Sequence, residues 1–247
     1  MLLLPKSYWH VQQTEKKGRG IFATKDIPAG KVVGDYIGKV IHEKDEDKYD
    51  KMGDPFYLMY YNHEALVHPD PKTPGIHIIN HSCTPNLWMY TYKGHTLYFS
   101  LRRIFAGEEL TVSYLLSPQD KDCNPCEDIC HCDAVLCFRT MHLSEKEYNE
   151  WEKFDDAIEK ETKPEPVEFG KTLPILDAYP EVIPDNSIYT LFGSKNNYSL
   201  RVNDKKLPTV HGLRRIIRQS GRTVAFPKMN LRVHGVMHDL LISETLS

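Results

Sequence analysis

The sequence predicts a mostly β protein that runs on into a helix and then a small α+β unit, and three observations carry that prediction. Up to about residue 117, short β-branched or aromatic runs alternate with glycine and proline: Ile21-Phe22-Ala23, Val32-Val33, Tyr36-Ile37, Val40-Ile41 and the segments 56–61, 76–79, 87–92, 96–101 and 110–115. Runs of that length, punctuated by tight-turn residues, suit strands better than helices. Residues 143–162 then switch to helical periodicity, and after 186 strand-like text surrounds one helical stretch at 210–219.

Each element has a local reason. The Gly94 turn between two apolar runs reads as a β-hairpin. The segment 42–55 is dense in charge, with Glu43, Asp45, Glu46, Asp47 and Asp50, and suits a surface loop or short helix. Such a run can attract a basic peptide or simply be a solvated insertion. The helix at 143–162 opens on Ser144 with Glu147 three residues on, the spacing of a capping box, and sets Leu143, Tyr148, Trp151, Phe154 and Ile158 near one face. Prolines 164, 166, 174, 180 and 184 forbid regular helix beyond it, so 163–185 is expected to be an extended linker lying against the domain.

Composition narrows the function. The chain has 247 residues, 40% hydrophobic and 26% charged, with a net charge of -3. These are ordinary globular values, without a global pull toward nucleic acid. Three leucines followed by a proline make too short a core for an export signal, and nowhere do eighteen apolar residues follow one another, so a soluble intracellular chain is expected. Locally, nine Lys and Arg between 201 and 232 face Asp204 alone, which suits a solvated face or a weak contact with an anionic partner. Six cysteines lie at 83, 123, 126, 130, 132 and 137. In a chain with no export signal, such a cluster argues for metal ligation over disulfides.

The segment IINHSCTPNLWMY, residues 78–90, breaks an apolar run with seven polar or small residues. Two other segments belong beside it. Gly18-Arg19-Gly20 precedes a strand and lets backbone approach a ligand closely. GEELTVSY, residues 107–114, is a turn into a strand that ends on a tyrosine. In this order the three segments resemble the motifs of the SET-domain protein lysine methyltransferases, over roughly residues 15–140. CHCDAVLC, residues 130–137, matches the post-SET pattern C-x-C-x4-C of that family, and the cysteine-rich pre-SET cluster of some relatives has no counterpart before position 83.

The resemblance implies a fold of small curved sheets with a knot-like C-terminal segment. It divides the chain into a SET domain at 1–117, a post-SET zinc segment at 118–142, the helix and linker at 143–185 and a C-terminal region of unknown role at 186–247. It implies methyl transfer from S-adenosylmethionine to a lysine of a protein, a histone tail being the first guess, and a nuclear location if the substrate is a histone. Tyr114 matches the catalytic tyrosine and Tyr36 the tyrosine walling the lysine channel. Gly18, Arg19 and Gly20 match the turn that contacts the cofactor, Asn80 and His81 the pair that holds its two ends, and Tyr57 a cofactor-side tyrosine. Cys83, Cys130, Cys132 and Cys137 match the zinc ligands, and tetrahedral Zn²⁺ suits one sulfur from the domain centre and three from a downstream loop.

Cys123 and Cys126 are surplus to that set: they can bind a second metal with His131 or other ligands, replace one of the four, or stay free thiols. Ser113 stands where many members carry aspartate, a substitution seen in the SET-and-MYND group, although 41–76 holds no MYND-type cysteines. Val112, at a position that tunes the number of methyls added, leaves the degree of methylation open. A catalytically silent module that binds protein or chromatin is the alternative, supported by Ser113. A zinc-dependent nucleic-acid binder leaves NHSCTPN and GEELTVSY without a purpose.

Overall fold

The computed structural model describes residues 3–28, 30–50, 57–83, 85–101, 103–121, 123–132, 137–180, 190–192 and 199–201. The helix expected at 210–219 and most of the basic stretch lie outside the described residues. The described chain is mostly β, built from small sheets. In order, the strands are β1 (Trp9–Gln13), β2 (Arg19–Ala23), β3 (Val32–Asp35), β4 (Lys39–His42), β5 (Met59–Asn62), β6 (Ala65–His68), β7 (Asn80–His81), β8 (Leu87–Tyr92), β9 (His95–Ser100) and β10 (Glu109–Val112). A short helix α1 (Glu46–Asp50) falls within the acidic insertion, and α2 (Glu145–Glu161) follows the cysteines. In the tail, β11 (Thr190–Phe192) and β12 (Ser199–Arg201) pair antiparallel.

Three sheets surround the main core. One has the order β1-β2-β10-β7, a second β3-β9-β8 and a third β4-β6-β5. Every pairing in these sheets is antiparallel except β10 with β7, which run parallel with Thr111 opposite Asn80 and Val112 opposite His81. Parallel neighbours need a long crossover, and here it is residues 82–108, which carry β8 and β9. Asn86 fastens the returning segment: its amide donates to the Glu109 carbonyl at 2.7 Å and its Oδ1 accepts from the Thr111 amide at 2.9 Å. Strand β10 thus runs between β2 and β7.

Strand β9 is buried along its whole length because it is central in its sheet. Its alternation divides two packing regions, as a period of two demands. Leu97 and Phe99 meet Val32 and Tyr179, while Tyr98 joins the main core with Ile21, Val33, Leu87, Leu110 and Val112. The β8–β9 hairpin turns on Lys93 (φ 52°) and Gly94 (φ 85°), two successive positive values of the kind a tight hairpin turn requires. Gly94 is needed on a second count: a Cβ there would sit 2.6 Å from the Tyr61 ring.

The run 76–79, expected as a strand, is instead a single 3-10 turn, Ile76–Ile78, closed by Ile78 N–H to Gly75 O at 3.2 Å and Ile79 N–H to Ile76 O at 3.1 Å. Pro74-Gly75 starts the turn, and short apolar runs do not separate strand from buried helical turn by pattern alone. Tyr36-Ile37 likewise follows β3 as loop. The helix α2 begins with a reciprocal capping box: the Glu147 amide donates to Ser144 Oγ (3.3 Å), and Glu147 Oε2 accepts from the Ser144 amide (3.1 Å). Asp155 on this helix accepts from Thr91 Oγ1 of β8 at 2.7 Å. Residues 171–173 of the proline-rich segment lie against the domain, with Val40 N–H to Lys171 O (2.8 Å), Leu173 N–H to Gly38 O (2.8 Å) and Leu173 fully buried, while 181–185 of the expected linker fall outside the described residues.

Asp35 ties this strap to the second sheet. Its enclosed carboxylate accepts from His95 Nδ1 at 3.0 Å and from the Tyr179 hydroxyl at 3.0 Å. Replacing Asp35 with alanine strands both donors away from water and is expected to cost on the order of 3–5 kcal/mol. Tyr179→Phe, which removes one donor and leaves the carboxylate its imidazole, is expected to cost about 1–2 kcal/mol. Urea unfolding of the two variants measures both, and equal losses would contradict the ordering.

Candidate active site

The turn before β2 is shaped by its glycines. Gly18 has φ +69°, a left-handed conformation that L side chains rarely adopt, and open space lies where its Cβ would be. Gly20 lacks room for a side chain: a Cβ would stand 2.8 Å from Asn80 Nδ2, 2.8 Å from Glu109 Oε1 and 2.9 Å from Thr14 Cγ2. That space is taken by a polar network. The Asn80 amide donates to the Arg19 carbonyl at 3.0 Å and to Glu109 Oε1 at 2.9 Å, and the other Glu109 oxygen pairs with Lys17 Nζ. Gly18, Arg19, Gly20 and Asn80 therefore lie on one edge, with a carboxylate and an ammonium beside them.

His81, next on β7, is buried and bonded on both sides of its ring. Nδ1 accepts the Tyr114 backbone N–H at 3.2 Å, which leaves the proton on Nε2, 3.6 Å from the Cys83 sulfur. Burial pushes the His81 pKa down to about 4, so the ring is neutral at pH 7. The Tyr114 ring meets His81 edge-on at 5.4 Å, and its hydroxyl donates to the Ile79 carbonyl at 3.0 Å. Although 38% of Tyr114 is open to solvent, the enclosure of its phenol, with Tyr57 nearby, raises its pKa to about 12.

Four tyrosines gather here. Tyr36 is buried and donates its hydroxyl to the Tyr57 carbonyl at 3.1 Å. Burial, then the nearby phenols of Tyr98, Tyr57 and Tyr114, hold its ionisation well above the usual range. Tyr98, fully enclosed, is shifted upward by the same causes, burial first and then Tyr114 and Asp35. His77 completes the wall, 5.0 Å from the Tyr57 ring and 6.5 Å from that of Tyr36. A cavity of about 600 Å³ opens beside Tyr36 and His77, lined also by Trp9, Gly34, His68 and Ile76. Asn80, His81 and Tyr114 do not line it. Tyr57 stands between the two regions, touching His77 on one side and lying near Tyr114 on the other.

Behind His81, the sulfurs of Cys83, Cys130, Cys132 and Cys137 all lie within 4.8 Å of one another. A tetrahedral ion with bonds of about 2.3 Å sets sulfurs about 3.8 Å apart, and the Cys83–Cys130 separation is 3.6 Å. Crowding by the Cys130 and Cys132 thiols and then burial drive the Cys83 thiol far above its ordinary pKa, and Cys130 is pushed up to about 12, mainly by Cys132. Four such thiols ionise together only around a cation. The Phe138 amide points at the Cys83 sulfur (3.4 Å) and the Arg139 amide at that of Cys137 (3.4 Å), donors that suit thiolates. The donor set therefore fits zinc.

Sequence reasoning missed Tyr98, Glu109 and Lys17. The TLYFS text around Tyr98 reads as an ordinary strand, and only the alternation of a central strand puts its hydroxyl toward the other tyrosines. Glu109 and Lys17 are 92 residues apart, and no local pattern announces their pairing.

The described chain thus combines small sheets, one parallel strand pair with tyrosines gathered at its end, and four cysteine sulfurs placed to hold an ion. Residues 18–115 match the family described as SET domain. It is 35% identical over 145 residues to the histone-lysine N-methyltransferase trithorax of Drosophila virilis, across 56% of this chain and 4% of that protein. It is 36% identical over 138 residues to the histone-lysine N-methyltransferase ASHH3 of Arabidopsis thaliana, across 52% of this chain and 37% of the relative. A histone-lysine N-methyltransferase of Eremothecium gossypii named as H3 lysine-36 specific is 35% identical over 136 residues, across 51% of this chain and 19% of its own length. The chain thus spans well under half the length of these relatives.

His77 supplies a pH test. Its Nε2 is buried with no hydrogen-bond partner among the described residues, and burial, with the Arg19 charge second, lowers its pKa to about 4. The unfolded chain binds this proton below about 6.5 and the folded one only below about 4, so stability falls as pH drops through that window. The loss is on the order of 3 kcal/mol from this residue. Unfolding at pH 7.5 and pH 4.5 should show a smaller acid loss in His77→Gln than in the wild type; equal losses would contradict it.

Proposed function

We propose that this chain transfers a methyl group from S-adenosylmethionine to a lysine side chain of a protein, a histone tail first among candidates, and acts on chromatin in the nucleus. The observation that carries this reading is the convergence of Tyr36, Tyr57, Tyr98 and Tyr114 at the end of β10, next to the Gly18–Gly20 turn, Asn80 and His81. We assign the catalytic unit to residues 1–117, a zinc-held flap to 118–142, a supporting helix and strap to 143–185, and leave 186–247 without a role.

Bound S-adenosylmethionine supplies an electrophilic methyl on a sulfonium. The amino-acid end of such a molecule is a zwitterion, and Lys17 and Glu109 stand as opposite charges beside Asn80. The backbone at 18–20, Asn80 and His81 would hold it, with Tyr57 at the boundary toward the lysine. Tyr36 and Tyr114 face the incoming amine. Free lysine has a pKa of about 10.4, so it arrives charged. An enclosure of neutral phenols gives the ammonium little solvation and favours its uncharged form. Tyr114, with its pKa near 12, stays protonated at pH 7 and so cannot serve as the base. Its hydroxyl orients the amine, and the proton leaves to water. Alignment does the rest, since fixing the reacting atoms can be worth several kcal/mol.

The acidic insertion suits a basic peptide. Tyr49 of α1 packs on His68 at 4.6 Å, and His68 lines the cavity beside Tyr36. The segment that carries Glu43, Asp45 and Asp47 thus adjoins a residue of the cavity wall, and negative charge there would steer a lysine-rich tail toward it. The zinc ion, held by Cys83, Cys130, Cys132 and Cys137, would fix the flap behind His81.

Transfer of labelled methyl from S-adenosylmethionine onto core histones tests the proposal, with mass spectrometry to locate the modified lysine. Tyr114→Phe is expected to lower kcat on the order of 100-fold, the usual cost of losing one aligned hydroxyl, while cofactor binding is retained. Cofactor binding without labelling of histones or lysate proteins would instead identify a silent binding module. DNA retention that falls steeply with salt, without labelling, would identify a nucleic-acid binder.

A further inference from the structure

The two cysteines outside the tetrathiolate set are not left alone by the fold. Cys123, Cys126, Asp128 and His142 present ligand atoms that all lie within 4.8 Å of one another. The partner imidazole is thus His142, from the far side of the flap, while His131, nearer in sequence, is exposed. Separations match what a small tetrahedral ion imposes. Bonds of about 2.0–2.3 Å put mixed N, O and S donors about 3.3–3.6 Å apart, and Cys123 Sγ lies 3.4 Å from His142 Nε2, which lies 3.3 Å from Asp128 Oδ2.

The surroundings also suit ligation. His142 Nδ1 donates its proton to the Ser117 carbonyl at 2.6 Å, which turns the lone pair of Nε2 toward Cys123 and Asp128. Metal-binding histidines are commonly oriented by such a bond from the second nitrogen. The ring's position is fixed by backbone: His142 bridges Leu116 in parallel register, Leu143 N–H meets the Leu116 carbonyl at 3.0 Å, and Met141 N–H meets the Asp128 carbonyl at 3.0 Å. Asp120 Oδ1 accepts the Cys123 amide at 3.0 Å, and Gln119 Nε2 reaches the Cys123 carbonyl at 3.2 Å and its sulfur at 3.8 Å.

We propose that Cys123, Cys126, Asp128 and His142 form a second zinc site. Two thiolates and an imidazole select zinc over calcium or magnesium. The ligands of this site bracket Cys130, Cys132 and Cys137 in the chain, so the two sites are nested. One ion ties the flap tip to Cys83 in the domain; the other ties the flap base to the residues that lead into α2. No strand or helix occurs among the described residues of 118–142, and a segment so poor in regular structure gains most from such staples. This inference stands whether or not the domain transfers methyl groups.

The test is the metal content of the purified full chain after removal of loosely bound ions. Two zinc per chain are expected, with X-ray absorption giving an average of three sulfurs per zinc. Cys126→Ser and His142→Gln should each drop the content to one zinc, and in His142→Gln the remaining ion should show four sulfurs. Should either variant aggregate, stepwise removal of zinc from the wild type by a chelator reports the same difference, the first ion lost raising the sulfur count of the one that stays. A wild type holding one zinc with four sulfurs, a Cys123–Cys126 disulfide in the intact mass, or variants that keep both ions would each overturn the proposal.

Discussion

His81 is held from both sides: its Nδ1 takes the backbone proton of Tyr114, and its Nε2–H faces the sulfur of Cys83. Only a neutral imidazole with the proton on Nε2 satisfies both contacts, and burial keeps it neutral. One ring therefore links the tyrosine that follows β10 to the four-cysteine cluster. The parallel β7–β10 pairing brings Asn80 and His81 level with Thr111 and Val112.

Charge and polarity are distributed around that joint in separate compartments. Lys17, Glu109 and Asn80 form a polar edge against the glycine turn, where the missing side chain of Gly20 leaves room for Asn80 and Glu109. Tyr36 and Tyr98 occupy a drier compartment, in which burial and the neighbouring phenols oppose ionisation. Tyr57 and His77 stand at the boundary with the cavity. Solvation therefore differs sharply over a short distance within one small domain.

The periphery has its own logic. Asp35, His95 and Tyr179 form a buried polar triad that fixes the strap to the second sheet, and Tyr61 donates to the Glu165 carbonyl at 3.0 Å farther along the same segment. Proline keeps this strap from coiling, and so leaves its backbone free to bridge β4 through Thr172. The second sheet carries Tyr98 on β9, and the strap thereby bears on the tyrosine cluster from behind.

Much of this was legible in the residues themselves. Glycine and proline punctuation marked most strands, Ser144 with Glu147 marked the start of α2, and the successive motifs named side chains that the fold brings near one another. Local chemistry suffices there, since turn, cap and ligand preferences act over a few residues. The 76–79 turn, the inward position of Tyr98, the Lys17–Glu109 pair and the choice of His142 over His131 were decided by tertiary structure alone. Each depends on which distant segment fills the neighbouring space, and contact across tens of residues leaves no periodic trace in the chain.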